Sequence, residues 1–208
     1  MIDEGYVKYE MAWQVGAPPD PDEIRELNRW RRVLFAAGLI GEYRDLGIGY
    51  GNISQRCRRD GHFIISGTQT GHLAELGADH YARVTDYDIA GNRVACRGPI
   101  KASSEAMTHA AIYELGAGIN AVVHVHSRAL WQRHLGQLPT TCADVAYGTP
   151  EMAREFARLY RDSNLQTVGV AVMAGHDEGL VSFGHDMTQA ASRILSLCAD
   201  CASRGPQR

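Results

Sequence analysis

The stretch Gly118-Ile-Asn-Ala-Val-Val-His-Val-His-Ser127 decides how the rest of the chain is read. Its apolar, β-branched run predicts a strand over 121–126. Side chains two apart in a strand point to the same side, so Val122, His124 and His126 share one face while Ala121, Val123 and Val125 share the other. Two imidazoles converging in this way can share one metal ion, because a neutral ring nitrogen is a good ligand for zinc or a similar divalent cation. The same spacing also suits two histidines of a half-buried strand that bond only to backbone or water. Further ligands would decide between the two.

Two candidates flank the stretch. Upstream, Ser103-Ser104-Glu105 precedes a helical run from Ala106 to Leu115 closed by Gly116, and either serine can cap it. Glu105 in the first turn is either an acid favoured by the helix dipole or a ligand. Downstream, Val168 to Ala174 is a continuous apolar run that predicts a central strand, and His176 follows where that strand would reach a rim. It is either a loop residue or a third imidazole for the same ion. Three histidines and a carboxylate can hold a divalent cation and leave room for substrate oxygens. His109, four after Glu105 on the same helix face, is either a structural residue like the remaining histidines or one that orients Glu105 or joins as a ligand.

Farther out, Asp20-Pro21-Asp22-Glu23 predicts a helix start, with Asp20 as cap and Ile24, Leu27, Trp30, Leu34 and Ala37 on one face. Strands are expected over 52–57 and 63–65, and after a turn at Asp88, up to Cys96. Thr149-Pro150-Glu151 starts a helix with Met152, Phe156 and Leu159 inward, and a last helix starts at Asp186 with Gln189 three residues on. Helices and strands alternate without linker or repeat, so the class is α/β or α+β in one domain over residues 1–208.

Composition narrows the function. With 21 Lys+Arg against 24 Asp+Glu the net charge is −3, which lacks the basic field of a nucleic-acid binder. No apolar run approaches the roughly 20 residues of a membrane-spanning helix. The opening MIDEGYVKYE is acidic where a signal peptide would be basic and then apolar. The five cysteines (Cys57, Cys96, Cys142, Cys198, Cys201) are odd in number and scattered, unlike a secreted disulfide framework. A cytoplasmic protein is expected, with no nucleic-acid or membrane partner. The pair Cys198-Ala-Asp-Cys201 reads as helix packing or as a weak metal or redox signal.

Gly51-Asn52-Ile53-Ser54, Ser103-Ser104-Glu105, His124-x-His126, Tyr147-Gly148-Thr149 and the later His176 together resemble the ordered landmarks of the class II aldolase/adducin family, over roughly residues 20–195. The resemblance implies a three-layer α/β/α fold around a mixed, mostly antiparallel sheet, and a homotetramer with sites between subunits. It implies Zn2+, or another divalent cation such as Mn2+ or Co2+, held by His124, His126 and His176 with Glu105 beside it. The implied activity is that of a lyase acting on a small phosphorylated keto sugar through a metal-stabilised enediolate, with Glu105 as general acid/base. The family's phosphate-binding positions fall on Asn52, on one or more of Gly67, Thr68 and Thr70, and on Ser103 and Ser104. Serines at a helix N-terminus suit an anion, although plain capping and a plain turn would explain these residues as well. Both Ser66-Gly67-Thr68 and Gln69-Thr70-Gly71 are available for what is one short loop in the family.

Two departures bear on the reaction. Family aldolases place a tyrosine acid three residues before the Tyr147 landmark. Here that residue is Asp144, which resembles the ribulose-phosphate 4-epimerase branch, where the aspartate serves in proton transfer; a loop carboxylate that only turns the chain is the other reading. The tyrosine both branches carry in the C-terminal tail has no counterpart, since none follows Tyr160. In place of the family's His-Gly, the chain reads His176-Asp177-Glu178-Gly179, adding two carboxylates that are rim residues or alter substrate choice. An epimerase, a dehydratase or a decarboxylase on the same scaffold is the nearest alternative to a lyase. A non-catalytic binding module, as in adducin, is the alternative from another class.

Overall fold

The structure is a computed structural model that describes residues 6–57 and 61–204. Residues 1–5, which open the MIDEGYVKYE stretch, and 205–208 lie outside the described residues, as does their part in the reading of the two ends. Along the chain run β1 (Glu10–Val15), α1 (Arg25–Ala36), β2 (Gly41–Tyr43), β3 (Ile48–Tyr50), β4 (Asn52–Arg56), β5 (Phe63–Ser66), β6 (Tyr81–Asp88) and β7 (Arg93–Gly98). Then come α2 (Ala106–Glu114), β8 (Ala121–His126), α3 (Arg128–His134), α4 (Pro150–Asp162), α5 (Leu165–Val168), β9 (Val170–Val172), β10 (Gly179–Gly184) and α6 (Met187–Arg204).

Eight of these strands form one sheet in the order β1-β7-β6-β5-β4-β8-β10-β9, while β2 and β3 make a separate hairpin. Among the described strands β1 and β7 run parallel, and the other neighbours are antiparallel. The two-residue period sorts each strand between two cores. Val122, Phe63, Ile65, Val181 and Phe183 pack with Met107 and Ile112 of α2 and Phe156 and Leu159 of α4. Ala121, Val123, Val125, Ile53 and Leu180 pack on the opposite face with Leu27 and Leu34 of α1, Leu130 of α3 and Ile194 of α6. Helices therefore cover both faces of a mixed, mostly antiparallel sheet, which is the expected three-layer α/β/α architecture. None of the described helices is long and apolar enough to cross a membrane, and among the described residues no disulfide links the five cysteines.

The helix starts follow their caps. Thr149 takes the Met152 N–H on its hydroxyl, with Pro150 at the first turn of α4. Asp186 accepts the Gln189 N–H at 2.8 Å, and Gln189 Oε1 accepts the His185 N–H at 2.9 Å. At α1 the bonds form but the helix begins later than expected. Asp20 accepts the Asp22 N–H at 2.8 Å and Glu23 accepts the Asp20 N–H at 3.1 Å; these close a turn over residues 21–24, and the helix starts at Arg25.

The run 168–174 is not a central strand. Val168 ends α5, Gly169 reverses the chain at φ +61°, and β9 is the edge of the sheet. Its side chains are buried because the 139–141 segment lies alongside it, with Val172 N–H donating to Pro139 O at 2.9 Å and Thr141 N–H to Val172 O at 3.0 Å. Lateral cover, rather than a central place, explains the unbroken apolar run.

Candidate functional site

The β8 pleat points His124 and His126 toward the α2 face. Antiparallel pairing with β10 then brings the His176 segment to them: Val181 lies opposite His124 and Gly179 opposite His126. A side chain at Gly179 would meet His176 Cδ2 at 2.6 Å and His124 Cε1 at 3.3 Å, so only glycine lets the two rings close over this strand end. The Nε2 atoms of His124 and His126 are 3.0 Å apart and those of His126 and His176 3.1 Å apart, with all three side chains buried.

The outer partners of His124 and His126 set which of their nitrogens carry protons. His124 Nδ1 donates to the Leu180 carbonyl at 3.1 Å, so its Nε2 holds a lone pair. Tyr43 donates its hydroxyl proton to Glu178 at 3.0 Å and therefore accepts from His126 Nδ1 at 3.1 Å, so this Nε2 also holds a lone pair. Burial pushes His124 down to about 4 and holds His126 and His176 well below their usual range, which keeps all three rings in the neutral form that binds metals. Imidazole nitrogens sharing a tetrahedral zinc at about 2.0–2.1 Å lie roughly 3.3 Å from one another. Inward ring nitrogens at 3.0 and 3.1 Å come near that spacing, and these three histidines form a cluster able to hold a metal ion.

Glu105, at the N-terminus of α2, lies beside His176 but outside the cluster of three histidines. Its Oε1 is 3.5 Å from His176 Nε2, and burial pushes its carboxyl up to about 7, with the nearby Thr108 hydroxyl and the Lys8 ammonium drawing it back. Lys8 lies 3.9 Å over the ring of Tyr147, which in turn sits 4.4 Å from the His176 ring. His109 faces elsewhere: its Nδ1 is 2.7 Å from Ser54 Oγ, which is 2.8 Å from the Tyr113 hydroxyl. Asp144 is exposed on a turn, but the next residue's carbonyl, that of Val145, lies against Gly175 beside His176. Asp177 is exposed, whereas Glu178 is drawn into the hydrogen bonds of His126 through Tyr43.

All six residues expected to hold a phosphate line one small polar cavity: Asn52, Gly67, Thr68, Thr70, Ser103 and Ser104. Gln69 and Gly71 line it too, so the loop wraps the cavity and both tripeptides contribute. Buried Arg31 pins this loop from behind through the carbonyls of Thr70 at 2.9 Å and Ala74 at 3.1 Å. Arg31 and Tyr43 carry no sequence signal, because both act through contacts between distant segments. The cavity adjoins the histidines, since Asn52 pairs with His124 across β4 and β8, and Glu105 follows Ser104. Asn52 Oδ1 and both Glu105 oxygens are buried and make no hydrogen bond of normal geometry among the described residues. Gly71 tests the loop: a Cβ there would lie 2.1 Å from Gly41 O and 2.9 Å from Gly49 Cα. Gly71→Ala should push the hairpin off the loop and weaken inorganic phosphate binding by about tenfold or more in calorimetry, the equivalent of about 1.4 kcal/mol. Wild-type phosphate affinity would contradict a phosphate site in this cavity.

Comparison with known proteins agrees with the fold. Residues 34–202 match the family model for the class II aldolase and adducin N-terminal domain. YgbL from Klebsiella pneumoniae has a similar structure, at 20% identity and a TM-score of 0.66, with 90% of this chain and 91% of that one covered. The L-fuculose-1-phosphate aldolase of Thermus thermophilus is 22% identical with a TM-score of 0.60, covering 91% and 100%. A sugar-phosphate aldolase from Thermotoga maritima is 17% identical with a TM-score of 0.65, covering 90% and 97%. The chain belongs to the class II aldolase and adducin N-terminal domain family.

Proposed function

We propose that this chain is a divalent-metal-dependent lyase of the aldolase type, making or breaking a carbon–carbon bond in a small phosphorylated keto compound. The observation that carries the reading is the junction of two subsites, a cluster of inward imidazoles and a polar anion cavity, across the Asn52–His124 pair. His124, His126 and His176 would hold the ion, zinc or else manganese or cobalt, and a bound ion would supply Lewis-acid polarisation of a keto oxygen.

The remaining steps belong to the protein. Ser103, Ser104, Thr68 and Thr70 offer hydroxyl donors, and Gly67 an exposed backbone, to a phosphate beside the α2 N-terminus. Asn52 stands between the two subsites and orients the chain of the substrate. Glu105, held within a buried pocket with its carboxyl near neutrality, takes a proton from substrate carbon or oxygen and returns it. Asp144, on the turn beside the His176 segment, is the second proton carrier. Its presence also supports the alternative reading, a sugar-phosphate 4-epimerase. We further propose a cytoplasmic homotetramer, supported by the exposed apolar residues Trp13 and Val15 on edge strand β1. Light scattering should then give four times the chain mass of 22.8 kDa, and a monomer would contradict it.

The deciding experiment incubates the metal-loaded protein with phosphorylated ketoses, with and without chelator, and identifies products by mass and NMR. An aldehyde plus a three-carbon ketone phosphate is expected, whereas a stereoisomer of unchanged mass identifies the epimerase. His124→Ala should lose both ion and turnover. Glu105→Gln should retain most of the ion and lose about 10²–10⁴-fold in turnover; full activity in that variant contradicts the proton-carrier role.

A further inference from the structure

The three histidines are oriented by different means. His124 leans on a main-chain carbonyl, which any residue at position 180 would supply. His126 leans on side chains. Its Nδ1–H donates to Tyr43 at 3.1 Å, Tyr43 donates to Glu178 Oε2 at 3.0 Å, and Glu178 Oε1 accepts from Arg128 Nε at 2.8 Å. We infer that Tyr43 and Glu178 are positioning residues for His126, holding its ring through this hydrogen-bonded chain so that Nε2 faces the other two imidazoles. The inference rests on the metal-site reading above.

Three observations carry it. Glu178 adopts φ +68°, a region that residues other than glycine rarely enter, and its carbonyl is fixed by the Ser127 N–H at 2.9 Å, next to His126 in sequence. Its side chain is only 18% exposed, so the carboxylate is largely shielded, and each oxygen has its own donor. The β2–β3 hairpin supplies the wall: the rings of Tyr43 and Tyr50 are 4.7 Å apart, and that of Tyr50 lies 5.5 Å from His126. Outer partners of this kind fix the tautomer and aim of a ligand histidine, and their loss weakens metal binding. Arg128 is 72% exposed and only steadies the far end.

The test uses the full chain stripped of metal. Zinc affinity is measured by competition with a chromophoric chelator, the cobalt-substituted absorption spectrum reports ligand geometry, and the metal-free melting temperature monitors the fold. Tyr43→Phe and Glu178→Ala should each weaken zinc binding by about 10–100-fold and shift the cobalt spectrum. Glu178→Gln, whose amide oxygen still accepts from Tyr43, should retain more affinity than Glu178→Ala, and the Tyr43→Phe/Glu178→Ala pair should be no weaker than the worse single variant. Affinities within about twofold of wild type in Tyr43→Phe and Glu178→Ala overturn the inference and leave the metal site standing. So does a loss that merely tracks the metal-free melting temperature with an unchanged cobalt spectrum, since the chain would then only tether the hairpin. A wild-type protein that takes up no divalent ion overturns both readings.

Discussion

The antiparallel register of β4, β8 and β10 is the constraint on which the site depends. It sets Asn52 opposite His124 and Gly179 opposite His126, and so fixes where a small polar cavity meets a cluster of imidazoles. A slip of one residue in β8 would turn both histidines into the core of Leu27, Leu34 and Ile194 and bring Val123 and Val125 to the site. Two hydrophobic cores, one on each side of the same strand, oppose that slip: Val122 belongs to one and Val123 and Val125 to the other.

Burial does the electrostatic work. Removing the imidazoles from water disfavours their protonated forms, so they stay neutral and able to bind a metal at neutral pH, and the same desolvation raises Glu105 to about 7. The Lys8 ammonium at the edge of the site acts on both Glu105 and His176, pulling each toward its deprotonated form. A buried guanidinium, Arg31, bonds the carbonyls of Thr70 and Ala74 in the loop that lines the small polar cavity.

Much of this was legible in the sequence where the signal was local. The two-residue period of 121–126 gave the strand and its faces, and Thr149-Pro150 and Asp186 with Gln189 marked helix starts that the structure bears out. The histidine cluster needed residue types plus a family resemblance, because nothing in local spacing says that His176 folds back onto His124. What stayed hidden depends on pairing across long separations. β1 joins β7 in parallel, β6 carries mixed residues, and the 41–50 hairpin reads as turns until its contacts with His126 and Gly71 are seen. The run 168–174 misled for a related reason: burial by a passing segment imitates burial in a sheet centre. The two rival tripeptides at 66–71 belong to one loop, which presents residues of both around one small polar cavity.

X-ray absorption on the zinc- or cobalt-loaded protein tests the central claim most directly. The account predicts one ion per chain with three imidazole nitrogens at about 2.0–2.1 Å, and a loss of imidazole scattering in His124→Ala. An ion bound without imidazole ligands, or by sulfur, would contradict it.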